Sequence, residues 1–340
     1  MTLNRRIEIL GQLGYVLNTD EEGLEKAINQ AYIENRWFTK ESSKNAIKSI
    51  ASEFLDKGNL KQWTSAYDIS NQFSDTKVGL VLAGNIPLVG FHDVMCVFLS
   101  GHRSIIKLSS KDTALFTYVI DNLYRIDPKV KEYIVTAERL SGFDAVIATG
   151  SNNSGRYFDA YFGKYPHIIR KNRNAIGILN GSETKEDFIA LGKDIFTYFG
   201  LGCKNVSKIY VPEGYKFDDF LGALHDEYKE IVHHNKYKNN FDHNNALFLL
   251  NKVKFLMNGC LIIREDEQIA SRIACLHYEY FDDESTLINT LQEKSEAIQC
   301  VVSKDKLKGI DTFGFGEAQT PSLSDYADGI DTMKFLTQLS

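Results

Sequence analysis

The stretch VGLVLAGNIPLVG, residues 78–90, decides the fold class. Its first part, residues 78–83, is a short and uninterrupted run of apolar residues and glycine. Such a run is typical of a strand that is buried on both faces of a parallel sheet. Gly84 and Pro87 end the run, and a helical pattern follows as far as Leu99. The stretch therefore predicts the strand–turn–helix unit of an open α/β sheet.

The same alternation continues on both sides of this stretch. Further strands are predicted at residues 103–110 and 143–151, with a helix at 112–126 whose N-cap is Asp112. Residues 1–75 carry apolar side chains at three- and four-residue spacing, which predicts helices. This order describes a helical preface followed by a sheet of the dinucleotide-binding type.

A second series of strands and helices follows the first. We predict that residues 1–182 form the helical preface plus an NAD(P)-binding lobe. Residues 183–303 form a second α/β lobe, which carries Cys203. Residues 304–340 form a tail that packs back on the first lobe. The predicted fold is therefore α/β, with two Rossmann-like open-sheet lobes.

Composition excludes several classes of protein. The 340 residues suffice for two lobes, and a net charge of −6 argues against a sequence-independent nucleic-acid binder. No apolar run reaches the ~18–20 residues that span a bilayer, and the first residues lack a signal-cleavage pattern. The five cysteines show no CxxC pair, which fits reduced thiols in a cytoplasmic protein, and we predict no metal site.

Polar residues and glycines lie at the ends of three of the predicted strands, at the sheet edge where open α/β proteins bind ligands. Asn85 is either an amide that stabilises an oxyanion or the cap of a turn. Lys107 and Ser109 either hold a ribose or phosphate or belong to a solvated loop. Gly150 and Ser151 offer backbone N–H groups to a pyrophosphate, or form an ordinary glycine-rich turn without a GxGxxG motif.

Cys203 differs from the other cysteines. It follows Gly202 and precedes Lys204 and Asn205, which predicts a turn, whereas the other four lie in apolar segments. A cysteine at such a turn is either a nucleophile that meets a substrate or a small buried residue.

Four motifs together resemble the aldehyde dehydrogenase superfamily, and within it the LuxC-type acyl-CoA reductases. GNIPLVG and GHRSIIKLSSKDTAL are similar to Asn-x-Pro and to Gly-Asn-x-Val-x-x-Lys-Pro-Ser. ATGS resembles Phe-Thr-Gly-Ser, and GLGCKNVSKIYV resembles Gly-Gln-x-Cys followed by a strand valine. The tail QTPSLSDYADGIDTMKFL is similar to the acyl-CoA reductase branch.

This resemblance implies roles for individual residues. Cys203 matches the thiol nucleophile, and Asn85 matches the oxyanion amide. The remaining matches concern the cofactor, NADPH or NADH. Lys107 and Ser109 match the grip on the adenosine ribose, and Gly150 with Ser151 matches the pyrophosphate turn.

One departure from the superfamily bears on the reaction. The glutamate that activates water should fall near residues 168–172, but the sequence from Tyr161 to Ser182 contains no Asp or Glu. An enzyme without that base is a poor aldehyde oxidiser and is better suited to reduce a thioester. His167 lies in this segment and is the remaining acid–base candidate, with a surface or packed histidine as the alternative.

The predicted reaction is reduction of a long-chain acyl thioester, from acyl-CoA or an acyl carrier, to the fatty aldehyde. Coenzyme A is the leaving group, and the intermediate is an S-acyl cysteine. Two alternatives stay open: a cysteine-dependent thioesterase or acyltransferase, and a non-catalytic acyl-carrying partner. The resemblance also suggests an acyl-protein synthetase as a partner. The sequence does not determine the oligomeric state.

Overall fold

A computed structural model describes residues 1–71 and 73–339. The chain forms two compact units, one of residues 1–172 with 321–340 and one of residues 173–320. These boundaries differ from the predicted ones, at 182/183 and 303/304. The strand that starts at Asn174 pairs within the second sheet, and the strand at Thr312 does so too. Both segments therefore belong to the second unit.

Unit 1 begins with helices, as the sequence predicts. The first two are amphipathic and bury Ile7, Leu10 and Ile28 in the core of this unit. A π-helical turn at Ile50–Phe54 extends the third. The four helices are α1 (Leu3–Thr19), α2 (Glu21–Glu34), α3 (Lys40–Ser49) and α4 (Lys57–Thr64).

A parallel five-stranded sheet follows these helices, in the order β3-β2-β1-β4-β5. Its strands are β1 (Lys77–Val81), β2 (Arg103–Lys107), β3 (Ile134–Thr136), β4 (Ala145–Thr149) and β5 (His167–Arg170). The helices between the strands are α5 (Phe91–Ser100), α6 (Thr113–Ile126) and α7 (Asn152–Phe162). The chain runs from β1 to β3 in one direction and returns to place β4 on the other side of β1. The order of the strands therefore reverses at β1, which is the switch point where such sheets bind ligands.

Unit 2 contains a seven-stranded sheet in the order β12-β11-β6-β7-β10-β9-β8, parallel except for the β8–β9 pair. Its strands are β6 (Asn174–Ile178), β7 (Val206–Pro212), β8 (Leu256–Met257), β9 (Ile262–Glu265), β10 (Cys275–Phe281), β11 (Ile298–Ser303) and β12 (Thr312–Phe313). Its helices are α8 (Lys185–Phe196), α9 (Asp218–Tyr228), α10 (Asn235–Leu250) and α11 (Glu284–Glu293). Strand β7 lies at the centre of the sheet and is buried over six of its seven residues.

The C-terminal segment of unit 1 ends in α12 (Thr332–Thr337). The Arg170 guanidinium pairs with the Asp93 carboxylate and donates 2.8 Å to the Thr332 hydroxyl, and all three residues are buried. The Tyr326 hydroxyl lies 2.6 Å from the Tyr67 hydroxyl. These contacts hold the tail against α5, β5 and the N-terminal helices.

No helix in residues 1–71 and 73–339 is long and apolar enough to cross a membrane. The same residues contain no cluster of three or more His, Cys, Asp or Glu side chains that could hold a metal ion.

Candidate active site

The five cysteines separate into two kinds by their surroundings. Cys96, Cys260, Cys275 and Cys300 are buried, and Cys203 is half-buried. Burial raises the pKa of Cys96 well above its ordinary value, that of Cys260 to about 11 and that of Cys275 to about 12. Since the thiolate is the nucleophilic form of cysteine, these three thiols are unreactive at neutral pH. Of the five thiols, Cys203 is the one that is half-buried, and its role as the nucleophile stays a prediction.

Cys203 lies on a turn that joins α8 to the central strand β7. The turn spans Gly202 to Asn205 and is closed by the Asn205 N–H, which donates 3.1 Å to the Gly202 carbonyl. The backbone before the turn is strained, because Tyr198 and Phe199 have φ angles of 52° and 60°. Left-handed conformations of such residues cost about 1–3 kcal/mol each and are concentrated at functional sites.

The Asn205 side chain fixes this turn. It is 1% exposed, and its Oδ1 accepts 2.7 Å from the Gly202 N–H. Its Nδ2 donates 2.9 Å to the Asp194 carbonyl and 2.7 Å to the Thr197 carbonyl, at the C-terminal end of α8. One buried amide therefore holds the end of the helix and the start of the cysteine turn together.

The Asp194 carboxylate makes the next contact outward from the turn. It is fully buried and accepts 2.6 Å from the Gly316 N–H and 3.1 Å from the Ala318 N–H. Burial raises the pKa of Asp194 to about 6, although both hydrogen bonds favour its charged form. Residues 316–318 are thereby tied to the helix that precedes Cys203.

The candidate cofactor residues of unit 1 lie at one edge of its sheet. Lys107 ends β2, and Ser109 follows two residues later. Gly150 and Ser151 come directly after β4, and Ser151 is the N-cap of α7, where its hydroxyl accepts 3.2 Å from the Ser154 N–H. Because these strands are parallel, their carboxyl ends meet at the same edge, on either side of the switch strand β1.

Two glycines at this edge lie very close to neighbouring side chains. A Cβ on Gly84 would lie 2.4 Å from Ser109 Oγ, and one on Gly150 would lie 2.8 Å from a ring carbon of Phe158. Glycine at both positions therefore lets the backbone approach its neighbours closely. The first turn of α7 directs N–H groups toward the edge, and Lys107 is exposed there. These residues fit a bound pyrophosphate and ribose.

Asn85 lies at the same edge, in the loop between β1 and α5, and is half-buried. The loop is held by Asp112, whose carboxylate accepts 2.6 Å from the Leu88 N–H. Asp112 occupies the N-cap position of α6, as predicted, but its side chain makes no capping hydrogen bond to that helix. It binds the Asn85 loop instead, because the left-handed Leu88 (φ 55°) turns its N–H toward the carboxylate.

His167 is separated from the other candidates of unit 1. It begins β5 and pairs with Val146 in β4, whereas Thr149, next to Gly150, pairs with Arg170 at the other end of β5. His167 thus lies toward the amino end of the strands, away from the carboxyl edge. Its ring is exposed, and Nδ1 lies 2.8 Å from the Tyr165 carbonyl oxygen. His167 therefore makes a local contact within its turn and does not lie with the other candidate residues at the carboxyl edge of the sheet.

Sequence reasoning missed the anchors of both turns. The sequence predicts a turn at Cys203 in which Asn205 is only a polar neighbour, although Asn is common in turns because its side chain bonds to nearby backbone groups. That signal was available in the sequence. The contact between Asp112 and Leu88 was not, because it joins residues 24 positions apart.

The fold is that of the aldehyde dehydrogenases. It is similar to aldehyde dehydrogenase 21 from Physcomitrella patens, solved with the reaction product succinate, at a TM-score of 0.69 and 13% identity over 99% of this chain and 84% of that one. It is also similar to an oxidoreductase from Marinobacter aquaeolei, at a TM-score of 0.69 and 12% identity over 95% and 79% of the two chains. An NAD⁺ complex of a Bacillus cereus aldehyde dehydrogenase matches at a TM-score of 0.60 and 12% identity over 89% and 72%.

One protein that is similar in sequence points to a narrower group than the fold does. Residues of this chain are 25% identical over 188 positions to long-chain acyl-protein thioester reductase 2 from Photobacterium leiognathi. The match covers 50% of this chain and 39% of that protein, so the chain spans well under two thirds of the relative it matches. This similarity supports the resemblance to LuxC-type reductases. No protein-family model matches the chain.

Proposed function

We propose that the protein reduces a long-chain acyl thioester, such as acyl-CoA, to the fatty aldehyde at the expense of NAD(P)H. The observation that carries the proposal is the placement of Cys203, half-buried on an anchored turn while the other cysteines are buried. The aldehyde dehydrogenase fold and the acyl-protein thioester reductase relative support the same reaction class.

Cys203 is the proposed nucleophile. Its thiolate attacks the carbonyl carbon of the thioester, so that a carbon–sulfur bond forms and a tetrahedral oxyanion develops. The oxyanion collapses, the bond to coenzyme A breaks, and the coenzyme A thiolate takes up a proton from solvent. The product on the enzyme is an S-acyl Cys203, which retains the oxidation level of the thioester.

Asn85 is proposed to stabilise the oxyanion through its side-chain amide, with the Cys203 N–H as the second donor. Preorganised donors of this kind act in a site of low dielectric constant, where removal of one typically costs ~10²–10³ in rate. The Asp112 contact that fixes the Asn85 loop supplies the rigidity that such a donor needs.

The candidate cofactor edge of unit 1 supplies the reductant site. Lys107 and Ser109 would hold the adenosine ribose, and the turn of Gly150 and Ser151 would hold the pyrophosphate through backbone N–H groups. When bound, the reduced nicotinamide supplies the hydride that converts the acyl group to the aldehyde. Release of the aldehyde then breaks the carbon–sulfur bond and returns Cys203 as the thiolate.

The absence of a carboxylate favours reduction over hydrolysis. The sequence from Tyr161 to Ser182, where the superfamily places its water-activating glutamate, contains no Asp or Glu. A thioester on Cys203 therefore has no general base from this segment to activate water against it. It persists long enough to be reduced or returned to coenzyme A.

The test measures whether Cys203 becomes acylated and whether the reductant then removes the acyl group. Purified protein is incubated with acyl-CoA of several chain lengths, and Cys203 acylation is located by intact mass and peptide mapping. NADPH or NADH is then added, and its absorbance and the release of aldehyde are followed. We expect an adduct that is lost only with the reductant, and no adduct in Cys203→Ala.

A matched control variant is Cys260→Ala, which removes a thiol that burial keeps protonated. It should acylate and reduce as the unmodified protein does. An adduct that hydrolyses without the reductant would indicate a thioesterase. If acyl-CoA gives no adduct at any chain length, the acyl donor is another protein, such as an acyl-protein synthetase, or the assignment of Cys203 is wrong.

A further inference from the structure

We propose that Asn205 is the positioning residue of the Cys203 nucleophile. It fixes the turn that carries the thiol and reduces the negative charge of the helix end that precedes it. The inference rests on the proposed function in one respect only, the assignment of Cys203 as the nucleophile.

The hydrogen bonds of Asn205 leave the turn little freedom. Both backbone groups of Gly202 bind Asn205, the N–H at 2.7 Å to Oδ1 and the carbonyl at 3.1 Å to the Asn205 N–H. The carbonyl of Asn205 in turn accepts 3.3 Å from the Ala175 N–H, which joins the turn to β6. Cys203 is therefore held between a doubly bonded glycine and a buried asparagine attached to the sheet.

The same amide acts on the electrostatics of the turn. The last carbonyls of a helix carry partial negative charge, which disfavours a thiolate nearby. Nδ2 of Asn205 donates to two carbonyls at this end, those of Asp194 and Thr197. The N–H groups offset part of that charge, which makes this helix end less unfavourable to a thiolate at Cys203.

Two charged groups lie close to this turn. The Lys204 ammonium lies 5.3 Å from the centre of the Phe313 ring, and the Asp194 carboxylate is bound by the Gly316 and Ala318 N–H groups. A neutral amide at position 205 positions the turn without adding a further charge. An aspartate there would be isosteric, but it would face the two carbonyls with oxygen and place a negative charge two residues from Cys203.

The experiment measures thiol reactivity, which needs neither substrate nor cofactor. The rate of Cys203 alkylation by iodoacetamide is followed from pH 5 to 10 by peptide mass spectrometry in the unmodified protein, Asn205→Ala and Asn205→Asp. We expect Asn205→Ala to slow alkylation at pH 8 about tenfold, because thiolate formation is disfavoured. Asn205→Asp should move the midpoint of the pH profile upward by about one unit.

The matched control is Asn244→Ala. Asn244 is also a buried asparagine of unit 2, and its Nδ2 donates 2.9 Å to the Ile273 carbonyl. Its removal leaves one buried carbonyl without that donor, whereas Asn205→Ala leaves two carbonyls and one N–H without theirs, so the control is the milder change. We expect a lower melting temperature in both alanine variants and a changed alkylation profile only in Asn205→Ala.

The outcomes separate this inference from the proposed function. If folded Asn205 variants alkylate like the unmodified protein at every pH, Asn205 is structural only, whatever the reductase assay shows. A changed profile with no reductase activity would keep the positioning role and remove the reaction. If both variants unfold, all five cysteines alkylate, and hydrogen exchange of the unmodified protein decides instead. We expect slow exchange of the Gly202 N–H in the unmodified protein, and fast exchange would show that Asn205 does not hold the turn.

Discussion

Two turns carry the groups that we propose to act on the acyl carbonyl, and chemically different side chains hold them. The Asn85 turn of unit 1 is held by the Asp112 carboxylate, through a single hydrogen bond from Leu88. The Cys203 turn of unit 2 is held by the neutral amide of Asn205, through several. The first anchor can change its charge with pH, and the second cannot.

The buried carboxylates beside the two turns, Asp112 and Asp194, also differ in pKa. Burial raises the pKa of Asp112 to about 7, with one N–H donor and an Oδ1 that has no hydrogen-bond partner among the described residues. Burial raises the pKa of Asp194, behind the Cys203 turn, only to about 6, and two N–H groups bind that carboxylate. More donors favour the charged form more strongly. The nucleophile's turn is thus the less pH-sensitive of the two.

The largest expected effect comes from the Asn85 turn. Asn85→Ala removes the proposed oxyanion donor, and we expect the reduction rate to fall by ~10²–10³ while the melting temperature changes little. The measurement is single-turnover loss of the acyl adduct after addition of NADPH. Asn240→Ala, which removes a side-chain amide on α10 that donates to the Lys236 carbonyl, is the control. A rate within a few-fold of the unmodified enzyme would remove Asn85 from the mechanism.

Asp112→Asn tests the titratable anchor. The folded-state pKa of Asp112, about 7, lies above the ordinary 3.8, so between these pH values the folded protein binds more protons than the unfolded chain. The contribution of this group to stability is therefore complete below about pH 4 and is lost as the pH rises to 7. The loss is of the order of 4 kcal/mol at most. Asparagine keeps an oxygen for the Leu88 N–H and carries no charge.

The expected result is a melting temperature of unit 1 that falls from pH 5 to 8 in the unmodified protein and falls less in Asp112→Asn. Thermal unfolding followed by circular dichroism across this range measures it. Asp75→Asn, at a residue with no hydrogen bond to the Asn85 loop among the described contacts, controls for the loss of one charge. Equal slopes in Asp112→Asn and the unmodified protein would contradict the buried-charge argument.

Asp194→Asn repeats the test on the other turn with a smaller expected effect. The sign is the same, because the folded-state pKa of about 6 also exceeds 3.8, and stability falls between about pH 4 and 6. An asparagine can accept only one of the Gly316 and Ala318 N–H groups and directs its NH₂ at the other. The gain from removing the charge is therefore partly offset by a lost hydrogen bond, of about 1 kcal/mol.

We expect the slope of melting temperature against pH to flatten between pH 4 and 6, with little change in the melting temperature at pH 8. Differential scanning calorimetry of the unmodified protein and of Asp194→Asn measures the melting temperatures at each pH. A large gain in the melting temperature at pH 8 would show that the two N–H donors contribute less than the geometry implies.

The parts of the fold that the sequence could predict are those with local patterns. The run VSKIYVP predicts a strand at residues 206–212, and β7 is found at Val206–Pro212, because a β-branched run between turns is a strong local signal. Strand β1 was predicted to reach residue 83 but ends at Val81. The four-residue strand β5 and the two-residue strand β12 were not predicted, because so few residues show no period.

The candidate site also has parts that follow from the sequence and parts that do not. The turn at Cys203 and the polar residues after β2 and β4 follow from composition and spacing. The sheet order, which places β1 between β2 and β4, depends on pairing between distant segments. That order decides which residues share an edge. His167 is set apart by strand direction, because it begins β5, whereas Gly150 and Ser151 follow the end of β4.

The smallest expected effect concerns His167. A general acid or base contributes typically 10²–10⁴ to a rate, so a catalytic His167 would be costly to remove. Its ring is exposed and lies at the amino end of β5, the opposite end from Arg170, which adjoins Gly150, and Nδ1 lies against the Tyr165 carbonyl. We therefore expect His167→Ala to reduce the single-turnover rate less than about threefold, with an unchanged pH profile. A hundredfold loss would contradict this expectation and place the acid–base group of the reaction at the amino end of β5.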